Sequence, residues 1–188
     1  MSLNTNPIQS NQLDLVLLDS KALQYSLAED SDAFQGYLGV DAPPAWFAAK
    51  GLMELRCQQI IRTPEYHPWS LRAIILREKG FMIGHIGFHT QPGASYLHPF
   101  APNGVEFGFT VFPDFRRNGY AREASLALMA WANQEHSVSE FILTISPNNM
   151  PSLKLAQGLG FRKIGSHMDE VDGVEDIYRL DYQLLKPA

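Results

Sequence analysis

Cysteine is almost missing from this 188-residue sequence, where Cys57 stands alone. One thiol excludes an intramolecular disulfide and any zinc cluster built mainly of thiolates, and it fits a reducing compartment. Cys57 sits between Arg56 and Gln58 in a helical stretch, where a plain half-buried thiol is the better reading than a nucleophile. Long apolar runs are missing too. The longest clean one, Leu126 to Ala132, has seven residues, against the roughly 20 needed to span a bilayer. The opening MSLNTNPIQSNQ has neither the basic start nor the apolar run of a signal peptide. A soluble, cytoplasmic protein with no membrane partner is expected. Positive charge is in deficit: fifteen Lys and Arg face twenty Asp and Glu, for a net charge of −5. No overall field gathers nucleic acid, so no nucleic-acid partner is expected.

What is present is a globular balance. Hydrophobic residues make up 45% and charged ones 19%, which excludes disorder as the main state. The length suits a single domain over residues 1–188, with residues 1–12 read as a polar, disordered tail. Leu13 to Leu18 reads as a first strand, and Ser20 to Ile61 as helical, broken at Gly36, Gly39 and Pro43-Pro44. Trp46, Met53 and Ile60 recur every seven residues, as one helix face does. Leu71–Leu76 and Phe81–Phe88 flank a Glu78-Lys79-Gly80 turn and read as a hairpin. Val105–Phe112 is the next strand, followed by a helix to about His136 with Ala121, Ala124, Leu128, Trp131 and Ala132 on its buried stripe. Phe141–Ile145 is a strand. A helix from near Asn149 stops at Gly160, and strands 162–171 and 174–184 meet at a type I′ turn, Asp172-Gly173. Hairpins plus a β-α-β crossover predict an α/β sandwich around one mixed sheet.

The stretch with chemistry in it is Arg116-Arg117-Asn118-Gly119-Tyr120-Ala121, which leads from a strand into a helix. A helix N-terminus offers unpaired backbone N–H groups and partial positive charge. Gly119 removes a side chain where a ligand could approach, and two arginines add local cations. Together these read as a pyrophosphate cradle, with a basic loop around an ordinary glycine turn as the alternative. The nucleotide-triphosphatase loop and the dinucleotide fingerprint are both missing.

Arg116-x-x-Gly119-x-Ala121 resembles the Q/R-x-x-G-x-G/A signature of the GNAT superfamily of N-acetyltransferases. Its surroundings strengthen the likeness: Glu106-Phe107-Gly108-Phe109 before it, Pro147-x-Asn149-x-x-Ser152 after it, and Leu159-Gly160-Phe161 closing the next helix. The order is similar to the branch of ribosomal-protein N-terminal alanine and serine acetyltransferases. The resemblance implies a single-domain, mostly antiparallel mixed sheet flanked by helices and splayed at its central strands. It also implies an acetyl-CoA-binding core over residues 71–184 and a divergent acceptor-side region over 13–70. The implied cosubstrate is acetyl-CoA, with no metal. Its pyrophosphate would rest on the amides of Arg116, Arg117, Asn118, Gly119, Tyr120 and Ala121. Its pantetheine would lie along Phe109, Thr110 and Val111, with an amide contact from Asn149. The acceptor, a small-molecule amine or a peptide N-terminus, would attack the thioester directly.

Glu106 matches the position of a general base, its pKa raised by partial burial, with a salt-bridged surface Glu as the bland reading. The tyrosine acid of many relatives is replaced by Ala156, and Ser152 stands in for it, with helix-start hydrogen bonding as its alternative. Asp169, Glu170, Asp172, Glu175 and Asp176 could draw a cationic amine, though a solvated acidic turn explains them better. His85 and His89 share a strand face but lack a third metal ligand, so core packing is the better reading. Phe34, Tyr37, Trp46 and Trp69 are expected to be mostly core. A coenzyme-binding sensor without turnover is the other functional reading, and the quaternary state, a homodimer among its options, is open.

Overall fold

The computed structural model describes residues 6–169 and 173–185. In chain order it runs β1 (Ile8–Gln9), β2 (Leu13–Leu17), α1 (Ser20–Leu27), α2 (Ser31–Leu38), α3 (Pro44–Phe47) and α4 (Lys50–Arg62). Then follow β3 (Arg72–Leu76), β4 (Phe81–Phe88), β5 (Val105–Val111), α5 (Tyr120–His136), β6 (Glu140–Ile145), α6 (Met150–Leu159), β7 (Arg162–Asp169) and β8 (Gly173–Asp181). This is a mixed, mostly antiparallel α/β fold. Two compact units make it up. One holds the described residues up to Gly87 together with Phe109–Leu128; the other holds Phe88–Gly108 and the described residues from Met129 onward.

In the first unit, β2 pairs antiparallel with β1 and with β3, and β3 with β4. Leu13, Leu15 and Leu17 alternate inward along β2, as a half-buried strand requires. All five residues of β3 are buried, including Arg72, whose guanidinium is pushed down to about 10 by burial. The hairpin of β3 and β4 is the one the sequence predicts. Residues 6–12 are not the expected loose tail: Ile8 pairs with Leu15 and Gln9 with Asp14.

Helix limits follow local chemistry. Asp19 and Asp30 cap α1 and α2 by accepting the N–H groups of Ala22 and Ala33, each at 2.9 Å. Gly39, at φ +74°, ends α2, whereas Gly36 lies inside it rather than breaking it. Trp46, Met53 and Ile60 are buried as their spacing predicts, although they belong to two helices, α3 and α4. Full burial of side chains of this kind contributes about 1.5–3 kcal/mol each. Trp46 satisfies its indole by donating to Ser26 Oγ at 2.9 Å.

In the second unit, β6 pairs antiparallel with β8, and β8 with β7. The start of β5 joins β6 in parallel through Val105↔Phe141 and Glu106↔Ile142. Asn149 caps α6 and Gly160 ends it at φ +99°, as expected from sequence. The last strand is shorter than expected. It stops at Asp181, and Tyr182–Leu184 form a 3-10 turn whose Tyr182 N–H bonds to Ser139 O just before β6 begins. The expected type I′ turn at Asp172-Gly173 lies partly outside the described residues. Among the described residues no helix is long and apolar enough to cross a membrane.

Candidate functional site

The first unit carries the turn that enters α5. A short 3-10 segment, Pro113–Phe115, delivers the chain to Arg116. Two side chains of the turn are spent on holding its shape. Arg116 Nε donates to Val111 O at 2.9 Å, and Asn118 Nδ2 donates to the carbonyls of Phe115 (3.2 Å) and Arg116 (3.1 Å). The backbone turns through two left-handed residues, Arg117 at φ +65° and Gly119 at φ +81°. The first intrahelical bond runs from Glu123 N–H to Gly119 O at 3.0 Å. The amides of Tyr120 and Ala121 have no carbonyl four residues back within the helix, the position from which a helix start offers N–H groups to an outside acceptor. A Cβ added at Gly119 would meet nothing within 4 Å. The glycine is therefore favoured by its dihedral rather than by crowding. Arg116, Arg117, Asn118 and Gly119 are exposed, and Tyr120 and Ala121 half-buried.

Glu123, in the first turn of α5, is held by the strand end that the sequence reads as a tail. Ser10 Oγ donates to Glu123 Oε1 at 2.7 Å, and Gln12 N–H to the same oxygen at 2.6 Å. Burial alone would raise its pKa, but these bonds outweigh it and hold the carboxyl below its ordinary value. Just before the turn, β5 supplies Phe109 and Thr110, half-buried, and Val111, buried.

The second unit carries a carboxylate site. Glu106 is 5% exposed. Thr144 Oγ1 donates to its Oε1 at 2.6 Å and Tyr96 O–H to its Oε2 at 2.9 Å. His89 Nδ1 lies 3.4 Å from Oε1. Burial on its own would raise the pKa of Glu106, but His89 and the two hydroxyls prevail, so the carboxyl sits below its ordinary value. The sequence-based expectation of a raised pKa is therefore wrong in sign. Hydrogen bonding to the charged form favours that form more than burial disfavours it. Tyr96, Thr144 and His89 as partners of Glu106 were missed from sequence, because a loop, a strand and a strand end bring them in from separate stretches of chain.

At the head of α6, Asn149 Oδ1 accepts the Ser152 N–H at 3.3 Å. Asn149 thus performs its helix-cap role, and Ser152 is half-buried. No hydrogen bond among the described residues joins Ser152 to Glu106.

The family model described as an acetyltransferase (GNAT) domain matches residues 14–162. The chain belongs to the GNAT family. It is 30% identical over 92 residues to YnaD, an uncharacterized N-acetyltransferase of Bacillus subtilis (strain 168), a match that spans 49% of each chain. It therefore covers about half the length of that relative. A second uncharacterized N-acetyltransferase of the same strain, YjdG, is 26% identical over 164 residues, covering 85% of this chain and 88% of that one. In fold, the chain is similar to RimL, a ribosomal L7/L12 alpha-N-protein acetyltransferase solved with coenzyme A. That likeness has a TM-score of 0.64 at 14% identity, over 94% of this chain and 98% of RimL.

The other candidate residues of this GNAT chain fall as follows. His85 is core, with its ring 5.7 Å from that of Trp46 and 6.2 Å from that of Phe112. Burial, with a smaller push from Arg56, takes its pKa down to about 4. Phe34, Trp46 and Trp69 are buried, while Tyr37 donates to Asp19 Oδ2 at 2.6 Å and is pushed up to about 12. Cys57 is half-buried and its pKa is raised by burial, the signature of a quiet thiol. Of the acidic turn, Glu170 and Asp172 lie outside the described residues. Asp176 is tied to Lys163 Nζ at 2.7 Å and to Ser166 Oγ at 2.8 Å.

Proposed function

We propose that the chain moves an acetyl group from acetyl-CoA to a primary amine, either of a small molecule or at a peptide or protein N-terminus. One acetyltransferase domain spanning the chain does this by direct attack of the amine in a ternary complex. The observation that carries the reading is the turn from Arg116 to Ala121. It sets two left-handed residues, Arg117 and Gly119, immediately before the amides at the head of α5, with no atom within 4 Å of where a Gly119 Cβ would stand. The donors fit an anionic diphosphate: main-chain N–H groups at a helix start, with an exposed arginine beside them.

In this reading the amides of Arg116 to Ala121 hold the pyrophosphate. The backbone of Phe109, Thr110 and Val111 hydrogen-bonds the pantetheine arm, and the Asn149 amide adds a contact. The bound thioester supplies the acetyl group. Glu106 provides the negative charge toward which the acceptor ammonium sheds its proton. Because it is buried, with both oxygens engaged, it acts through a relay. Ser152 passes a proton to the departing sulfur. The peptide arm is favoured by the acceptor that RimL's name gives for RimL.

Mixing acetyl-CoA with a panel of amines, antibiotics and N-terminal peptides, and following free thiol, tests this. Thiol release with matching acetylation by mass is expected for at least one acceptor. Thermal stabilisation by CoA, growing as RT ln(1 + [L]/Kd), with no thiol release from any of them would favour a coenzyme-binding sensor instead.

A further inference from the structure

Glu106 is ionised yet shut away, with both oxygens engaged by Thr144, Tyr96 and His89. Two of its partners reach solvent, Tyr96, 48% exposed, and His89, whose side chain is 36% exposed against 7% for that of Glu106. Of the two, the imidazole is the one that accepts a proton near neutral pH. The His89 N–H donates to Glu106 O at 2.8 Å, which sets the two residues against each other across neighbouring strands. The ring then extends along β5. Its Nδ1 faces Glu106, and its Nε2 lies 2.9 Å from where a Cβ on residue 108 would stand. Glu106 and Gly108, two residues apart, share a face of the strand. A glycine is what allows the ring to lie there. Among the described residues β5 pairs with β6 as far as Glu106, so Nε2 lies over the stretch of β5 just past that pairing.

We propose that His89 is the group that takes the proton from the acceptor amine, with Glu106 as its positioning residue. This rests on the acetyl-transfer reading above. A carboxylate at Nδ1 holds the proton of the neutral ring on that nitrogen and leaves the lone pair on Nε2. An incoming ammonium gives one proton to Nε2, and Glu106 stabilises the resulting imidazolium. The freed amine nitrogen forms its bond to the acetyl carbon as the carbon–sulfur bond breaks. The second proton lost from nitrogen ends on the coenzyme sulfur, and the proton on His89 passes to solvent. Protons and charge balance without any further reactant.

Two measurements on the full chain test this. Long-range proton–nitrogen NMR of the imidazoles reads the His89 tautomer directly and needs no acceptor. The proton is expected on Nδ1, with that preference lost in Glu106→Gln. A proton on Nε2 in the native protein would overturn the proposal, since that nitrogen could then accept nothing. The second measurement is the rate of thiol release with an acceptor found in the panel. His89→Gln is expected to lower kcat/KM by about 100-fold or more, while CoA affinity stays near that of the native protein and the chain remains folded. Added imidazole should restore part of the rate to His89→Ala. If the native protein transfers to an amine and His89→Gln matches its rate, the histidine proposal alone fails. If the native protein transfers to none, the acetyl-transfer reading fails and takes this one with it.

Discussion

His85 lies inside β4 and His89 just past its end, yet the two units put them in opposite surroundings. In the first unit His85 is packed against Trp46 and Phe112, and burial drives it toward the neutral form. In the second unit His89 is half exposed and faces a carboxylate held by two hydroxyls. The same contrast runs through the candidate site. The first unit offers main-chain amides at a turn, while the second offers a side-chain network around one charge. A residue type at a given spacing does not fix its chemistry. The solvent and charge around the ring do.

The contrast is broken most strongly through His85. Its pKa is about 4 in the folded chain, against about 6.5 when unfolded. A buried histidine of this kind contributes stability that is complete above the unfolded value and is lost as pH falls from about 6.5 to about 4. At roughly 1.4 kcal/mol per unit, the loss is about 3.5 kcal/mol. Arg56 is the charged neighbour that adds to the effect. His85→Leu should therefore lose less stability than the native chain between pH 7 and pH 4, as read by urea denaturation at each pH. Parallel curves for the two proteins would refute a buried neutral His85.

Glu106 has the opposite linkage and a smaller effect. Its folded pKa lies below the ordinary value, so its contribution is present above the unfolded pKa and is lost as pH falls through the folded one. Replacing the charge while keeping the shape, as in Glu106→Gln, weakens two charge-assisted hydrogen bonds and should cost about 2 kcal/mol at pH 7. The difference from the native protein should shrink as acid protonates the native carboxyl. A constant difference down to low pH would mean that Glu106 is already neutral at pH 7.

These two side chains also mark where the sequence stops being readable. Local signals are legible because cause and effect lie within a few residues: the turn at Glu78-Lys79-Gly80, the bracket of Asn149 and Gly160 around α6, and the glycine turn before α5. What depends on distant chain is not. Ser10 and Gln12 look like part of a polar tail until they meet Glu123, 113 and 111 positions away. Thr144 reaches Glu106 across 38 positions. Nothing in the spacing of Glu106, Tyr96 and Thr144 announces a cluster, so burial alone suggested the wrong direction for its pKa. Arg72, a charge on a fully buried strand, is likewise invisible to a pattern of apolar residues.

The main-chain half of the comparison yields to a gentler perturbation. Gly119 sits at φ +81° with no atom within 4 Å of an added Cβ. Gly119→Ala thus meets no clash, and its only cost is the left-handed backbone, about 1 kcal/mol. Arg117, at φ +65°, shows that the turn already tolerates one such residue. The fold should survive, with Tm lowered by a few degrees. Calorimetric affinity for CoA is the sharper readout. If the amides at the head of α5 hold the diphosphate, a turn that relaxes away from the left-handed region turns them aside, and binding should weaken by about tenfold, which corresponds to about 1.4 kcal/mol. Because the alanine methyl would point into clear space, unchanged affinity could not be ascribed to a compensating contact inside the protein. It would mean that alanine holds the left-handed turn, as Arg117 does, or that the coenzyme is held elsewhere. Gly119→Pro, whose ring forbids φ +81°, separates the two: native affinity in that variant leaves only the second.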